Sequence, residues 1–133
     1  MADEVICLDT SVLIDYFRKT KKKNSFLLEL TQQYSSFAVS IVTKFEILIG
    51  SNQKQEEFWE VFFQNTLVLP FDDKSNEEAV NIFKELKRAG NLIDIPDLFI
   101  GATAKAYNLK LATLNEKDFV RIDGLELLTK KNK

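Results

Sequence analysis

Short apolar runs alternating with helix-like segments predict an α/β fold, in which a mostly parallel sheet is covered by helices on both faces. The runs are continuously apolar rather than alternating, as in strands buried on both sides. The chain has 133 residues, 45% apolar content, 4 Gly and 2 Pro. That is enough to build a core without disulfide or metal staples. No repeat, low-complexity tract or linker interrupts it, so residues 1–133 are expected to form one domain.

Residues 5–8 (V-I-C-L) make the first strand, ending at Asp9. Residues 11–17 read as a helical turn or two, and residues 18–23 (R-K-T-K-K-K) as a solvated basic connection. Phe26, Leu27, Leu30 and Tyr34 recur at helical spacing and predict a helix over residues 24–33. A second strand at 37–40 precedes a helix over 43–49 that ends at Gly50, and another helix covers 53–65. On the latter, Phe58, Trp59, Phe62 and Phe63 form an aromatic band, either core or partner surface. Residues 66–71 are the third strand, closed by Pro70. A long helix over 74–89 carries Ala79, Ile82, Phe83 and Leu86 on one face and stops at Gly90. Residues 95–107, almost wholly apolar and small, predict a buried helix. The fourth strand spans 109–114, an edge strand spans 125–128, and the tail from Lys130 to Lys133 is expected to fray.

Composition removes several chemistries. There is no histidine, so Ser-His-Asp and Cys-His triads and H-E-x-x-H zinc sites are excluded within the chain. A single cysteine forms no internal disulfide, and Cys7 reads as a small buried side chain in a reducing compartment. With 18 Lys+Arg against 20 Asp+Glu, the net charge of -2 argues against a uniformly basic duplex-binding surface. No basic segment followed by a long apolar stretch opens the chain, and no run is long enough to span a bilayer. A soluble cytoplasmic protein with no membrane partner is expected.

In open α/β sheets, ligands bind beyond the carboxyl ends of the strands. Those positions carry acids: Asp9 after the first strand, Glu46 on the helix after the second, and Asp118 in the short helix after the fourth. Asp97 opens the buried helix. Each has an alternative reading as a helix cap, in Thr43-x-x-Glu46, Asn115-x-x-Asp118, Asp94-x-x-Asp97 or Asp9 itself. Gathered on one rim, however, they are costly, since two carboxylates about 4 Å apart repel by about 4 kcal/mol at an effective dielectric near 20. A hard divalent cation such as Mg²⁺ or Mn²⁺ offsets that cost and supports phosphodiester hydrolysis without histidine.

The stretches D-T-S-V-L-I-D (9–15), T-K-F-E-I-L-I-G (43–50), I-D-I-P-D-L-F-I-G-A-T-A (93–104) and L-A-T-L-N-E-K-D-F (111–119) resemble, in order, the four motifs of PIN-domain proteins. The resemblance is strongest to the VapC-type ribonuclease toxins of toxin–antitoxin systems. It implies a three-layer α/β/α sandwich and a Mg²⁺-dependent endoribonuclease in which Mn²⁺ can substitute. It also implies a catalytic and metal-binding set of Asp9, Glu46, Asp97 and Asp118. Asp9 and Asp97 would be the principal ligands, with Glu46 and Asp118 holding a second ion or ordering water. Thr10, Ser11 and Asn115 would hydrogen-bond these carboxylates or the scissile phosphate. Asp94 stands where relatives often carry Gly, a fifth acid that either caps the helix or approaches the pocket. Hydrolysis would leave a 3′-hydroxyl and a 5′-phosphate.

The partners implied are an RNA substrate (tRNA or rRNA), a VapB-type antitoxin and a second copy of the chain in a homodimer. The basic run of Arg18, Lys19, Lys21, Lys22 and Lys23 is a candidate grip on RNA phosphates, against its reading as a solvated loop. Alternatives are a non-toxin PIN-fold nuclease of RNA processing and a non-catalytic PIN-fold binding module. A phospho-accepting signalling domain would need a second acid beside Asp9, where Thr10 stands. A haloacid-dehalogenase-type phosphatase would need an acid at Ser11.

Overall fold

In the computed structural model, which describes residues 2–130, the first apolar run becomes the central strand of the sheet. Five strands, β1 (Ala2–Leu8), β2 (Tyr34–Ser40), β3 (Leu67–Leu69), β4 (Leu111–Thr113) and β5 (Leu127–Thr129), lie in the order β3-β2-β1-β4-β5. Every pairing is parallel. Seven helices connect them: α1 (Thr10–Arg18), α2 (Phe26–Thr31), α3 (Ile41–Ile49), α4 (Gln53–Gln64), α5 (Asp73–Arg88), α6 (Ile95–Ala106) and α7 (Glu116–Phe119). Strand order reverses between β1 and β4. That switch point leaves a crevice at the carboxyl ends of both strands.

The two-residue period of the strands sorts the core into two layers. Ile6 and Leu8 of β1, Val39 of β2 and Ala112 of β4 face α1 to α4, meeting Val12, Leu13, Phe26, Leu30, Ile47, Trp59 and Phe63. Cys7, Ala38 and Leu111 face the other way, toward α5, α6 and Phe119. The sandwich therefore has three layers, and the aromatic band of α4 divides: Trp59 and Phe63 are core, while Phe58 is exposed.

Several element boundaries differ from the sequence expectation because side chains decide them. Ser40 accepts a hydrogen bond from Val42 N, so α3 starts at Ile41. Thr66 bonds back to Phe62 O and Phe63 O, ending α4 and shortening β3. Leu109 N returns to Ala104 O, which delays β4 to Leu111. Gly90, at φ 66, follows α5 in the left-handed conformation expected of it. Lys130 is tied down by a hydrogen bond to Asn24 O, and the remaining tail residues 131–133 lie outside the described residues. Among the described residues no helix is long and apolar enough to cross a membrane.

Helix α6 carries Asp97 and is held at its exit and along its length. At its exit, the Tyr107 hydroxyl donates to Asp72, the N-cap of α5, and holds that carboxyl near 2. Along its length it lies close to the segment after α7, where a Cβ on Gly101 would stand 2.5 Å from Ile122 Cδ1. Gly101→Val is therefore expected to destabilise the fold by roughly 2 kcal/mol through overpacking. Urea unfolding midpoints measure this, and an unchanged midpoint would mean that the α6 seam is not tight.

Candidate active site

The acid at the end of β1 is nearly inaccessible: Asp9 is 2% exposed. It occupies the N-cap position of α1, yet its side chain caps nothing. Its Oδ2 instead accepts from Ser11 Oγ at 2.7 Å and Thr113 Oγ1 at 2.8 Å. Those two hydroxyls are themselves oriented by the β4–α7 connection, Ser11 accepting from Leu114 N and Thr113 from Asn115 N. Both hydroxyl protons are thereby directed at one carboxylate oxygen. The backbone N–H groups of Thr10 and Ser11 also favour the charged form of this carboxylate.

Helix α3 brings the second acid. The Thr10 hydroxyl donates to Glu46 Oε1 at 2.7 Å and lies 3.0 Å from the buried Thr43 hydroxyl. Thr43 therefore faces Thr10 across the α1–α3 contact, and the cap of α3 is Ser40. The third and fourth acids share one side-chain amide. Asn115 Nδ2 donates to Asp118 Oδ2 at 3.1 Å and, at a longer 3.4 Å, to Asp97 Oδ2. Neither Asn115 nor Asp94 makes a side-chain cap, although both stand at N-cap positions. All four capping readings therefore fail, and the carboxylates are held by each other's neighbours across the crevice.

The electrostatics agree with that convergence. Burial pushes the Asp97 carboxyl up to about 6, and the charges of Asp9, Asp118, Glu46 and Asp94 push in the same direction. Burial also raises Asp9, against the hydrogen bonds from Ser11 and Thr113 that favour its charged form. Cys7, directly beneath, is fully buried and its thiol is pushed up to about 12 by desolvation and by Asp9, so it is inert. Among the described residues, no group of three or more Asp, Glu or Cys side chains stands close enough together to hold a metal ion as placed. An all-oxygen, mutually repelling donor set of this kind fits a hard divalent cation whose remaining positions go to water and phosphate.

Asp9, Glu46, Asp97 and Asp118, with Thr10, Ser11 and Asn115, thus come together at the switch point. Asp94 is exposed at its rim and acts on Asp97 through charge alone. The basic run divides. Lys22 Nζ donates to Tyr16 O and Phe17 O, both at 2.8 Å, and closes the C-terminus of α1 while lying over both rings. Lys19 pairs with Asp15, Lys21 and Lys23 are exposed, and Arg18 lines a cavity beside Glu46. Thr113 escaped the sequence reading. Its signal was a lone hydroxyl closing an otherwise apolar strand.

A profile of the PIN domain matches residues 6–125. Ribonuclease VapC1 of Methanocaldococcus jannaschii is 35% identical over 128 residues, covering 94% of this chain and 88% of the relative. Ribonuclease VapC of Rickettsia bellii is 29% identical, covering 93% and 95%. Among solved structures, VapBC2 from Rickettsia felis bound to a promoter DNA fragment superposes with TM-score 0.82 at 25% identity, covering 96% of this chain and 99% of that one. VapBC from Salmonella typhimurium bound to DNA gives 0.84 at 22% identity, covering 96% and 98%, a likeness of fold.

Because the carboxyl of Asp97 is raised, the folded protein holds a proton that the unfolded chain releases between about pH 4 and 6. Stability is therefore lost as pH rises through that window. In metal-free buffer at pH 8, Asp97→Asn should be more stable than wild type by about 1–2 kcal/mol, discounting for the partial exposure of this side chain. The two proteins should converge near pH 4. Thermal melts across this range test it, and an Asn variant melting lower at pH 8 would show that the carboxylate is structural.

Proposed function

The chain belongs to the PIN-domain family, and from that premise we propose that it is a VapC-type endoribonuclease dependent on Mg²⁺ or Mn²⁺. The observation that carries the reading is that hydrogen bonds from Thr10, Ser11, Thr113 and Asn115 draw Asp9, Glu46, Asp97 and Asp118 toward one strand-end region. There, burial and then the charges of its neighbours lift Asp97 to about 6. Asp9 and Asp97 would be the principal ligands of the ion, with Glu46 and Asp118 completing its surroundings. When bound, the ion supplies charge neutralisation and Lewis-acid activation of water for phosphodiester hydrolysis.

The chain's own groups set the stage for that chemistry. Ser11 and Thr113 both donate to Asp9 Oδ2 and so fix the carboxylate in orientation. Thr10 steers Glu46, and the amide of Asn115 holds Asp97 and Asp118 on a common side. The burial of Asp9 and the partial burial of Asp97 thin the water around the charged centre and so strengthen each electrostatic contact there. Hydrolysis by water without help from the ribose 2′-hydroxyl gives 5′-phosphate and 3′-hydroxyl ends.

The relatives named as ribonucleases and the VapBC complexes of the same fold support a VapB-type antitoxin as the protein partner. An exposed apolar surface where α5 meets α6, including Val80 and Ile95, supports self-association into a homodimer.

Purified protein with Mg²⁺ or Mn²⁺ should cut RNA, and chelation should stop it. Asp9→Asn and Asp97→Asn should each lower the rate at least about a hundredfold while remaining folded. Sequencing the new ends should find 5′-phosphates, and a 2′,3′-cyclic phosphate would refute the hydrolytic route. Millimolar Mn²⁺ should also raise the melting temperature of wild type by a few degrees, and far less in Asp97→Asn.

A further inference from the structure

We infer that Arg121 is a positioning residue of the acidic crevice: its guanidinium ties the segment leading into Asp97 to Asp118, and so sets the spacing of these two carboxyls. The inference rests on the nuclease reading above. It concerns a side chain that lies just beyond the last of the four motifs.

The backbone at Arg121 is anchored on both sides. Phe119 is fully buried, and Ile122 is buried where it approaches Gly101 of α6. The turn of α7 continues between them, Arg121 N donating to Asp118 O at 3.2 Å and Ile122 N to Phe119 O at 3.1 Å. From this base the side chain crosses to the α5–α6 connection. Its Nη1 donates to Leu92 O at 2.9 Å and, at a longer 3.4 Å, to Asn91 O. Its Nη2 lies 3.9 Å from Asp118 Oδ1, on the face that residues three apart on a helix share. Asp118 Oδ2 accepts from Asn115, so both oxygens of this carboxyl are engaged.

The α5–α6 connection has little else to hold it. Asn91 N returns to Leu86 O after α5, but Asn91, Leu92, Asp94 and Ile95 are exposed, and Asp94 makes no side-chain cap for α6. Among the described residues, Arg121 donates the only side-chain hydrogen bonds that residues 90–94 receive. Asp97 follows in the first turn of α6, so the entry of that helix is placed from α7. Among the described residues no other Lys or Arg pairs with any of the four site acids. Geometry outweighs charge in what Arg121 contributes. Its pair with Asp118 is long and the two side chains are 25% and 29% exposed, where an ion pair is weak. A planar fork, by contrast, reaches two carbonyls and a carboxylate from one rigid group, as an ammonium does not.

Mn²⁺ alone, titrated into the full chain and followed by the spin-resonance signal of the free ion, tests this without RNA. Arg121→Gln should bind Mn²⁺ roughly tenfold more weakly than wild type, the scale on which groups that orient metal-binding carboxylates act. Arg121→Lys keeps the charge without the fork and should lose most of the same affinity. On RNA, Arg121→Gln should lower kcat roughly tenfold with KM unchanged. Tighter Mn²⁺ binding by Arg121→Gln, or wild-type affinity in Arg121→Lys, would show that only charge matters and overturn the inference. An affinity that falls only as far as the folded fraction, read from urea unfolding, would make Arg121 structural and overturn it too. Intact Mn²⁺ affinity with a reduced salt dependence of RNA binding in chelator would instead make Arg121 a phosphate contact. Each of these outcomes leaves the nuclease reading standing if wild type binds Mn²⁺ and cuts RNA. A wild type that does neither overturns both.

Discussion

A carboxylate buried at the end of the central strand is the constraint around which the crevice is organised. Asp9 is 2% exposed, and burying an ionised group without compensation costs several kcal/mol. The fold compensates with two hydroxyls from opposite sides of the switch point, Ser11 after β1 and Thr113 at the end of β4. Each hydroxyl is aimed by a backbone amide of the β4–α7 connection, so strand pairing, loop conformation and carboxylate orientation are mutually dependent. The parallel β1–β4 contact is therefore also the alignment device of the site.

The remaining acids reach the crevice on elements with their own packing reasons to be there. Helix α3 is fixed by Ile47 in one core layer and by Thr43 against Thr10, which sets Glu46. Helix α6 is buried along its small-residue face and approaches Ile122 closely at Gly101, which sets Asp97. The short α7 is anchored by the fully buried Phe119, which sets Asp118. Two carboxyls show how differently the fold treats acids. Asp72 is an N-cap supplied with donors and held near 2, whereas Asp97 is pushed up to about 6 by burial and then by the like charges around it. The first serves stability, and the second carries an unfavourable charge environment of the kind found at functional sites.

Much of this was legible in the chain. The apolar runs at β1 and β2 specify strands buried on both faces, and the helical spacing of Ala79, Ile82 and Leu86 specifies α5. The rule that ligands bind at strand ends points to Asp9 as a candidate, and the resemblance of the four motifs points to Glu46, Asp97 and Asp118. What the chain left ambiguous was whether those acids cap helices. Capping and site geometry share one local pattern, an acid or amide three residues from another, and no local pattern distinguishes them. Thr113 was missed for a related reason: a hydroxyl at the end of a strand announces nothing until its partner across the sheet is known.

The basic run shows the same boundary. Its composition is evident, but composition treats Arg18, Lys19, Lys21, Lys22 and Lys23 alike. Folding separates them, since Lys22 closes a helix end and Arg18 lines a cavity. By itself, the sequence determined the period of each element, and with it the layered parallel sheet, because burial demands depend only on spacing along the chain. It also determined that any chemistry must rest on carboxylates, hydroxyls, lysines or a hard metal ion, since no histidine is available. Only the tertiary structure decided which donor serves which acid. The long-range ones among those hydrogen bonds join residues 18 to 104 positions apart, and their geometry is set by how the helices and strands pack.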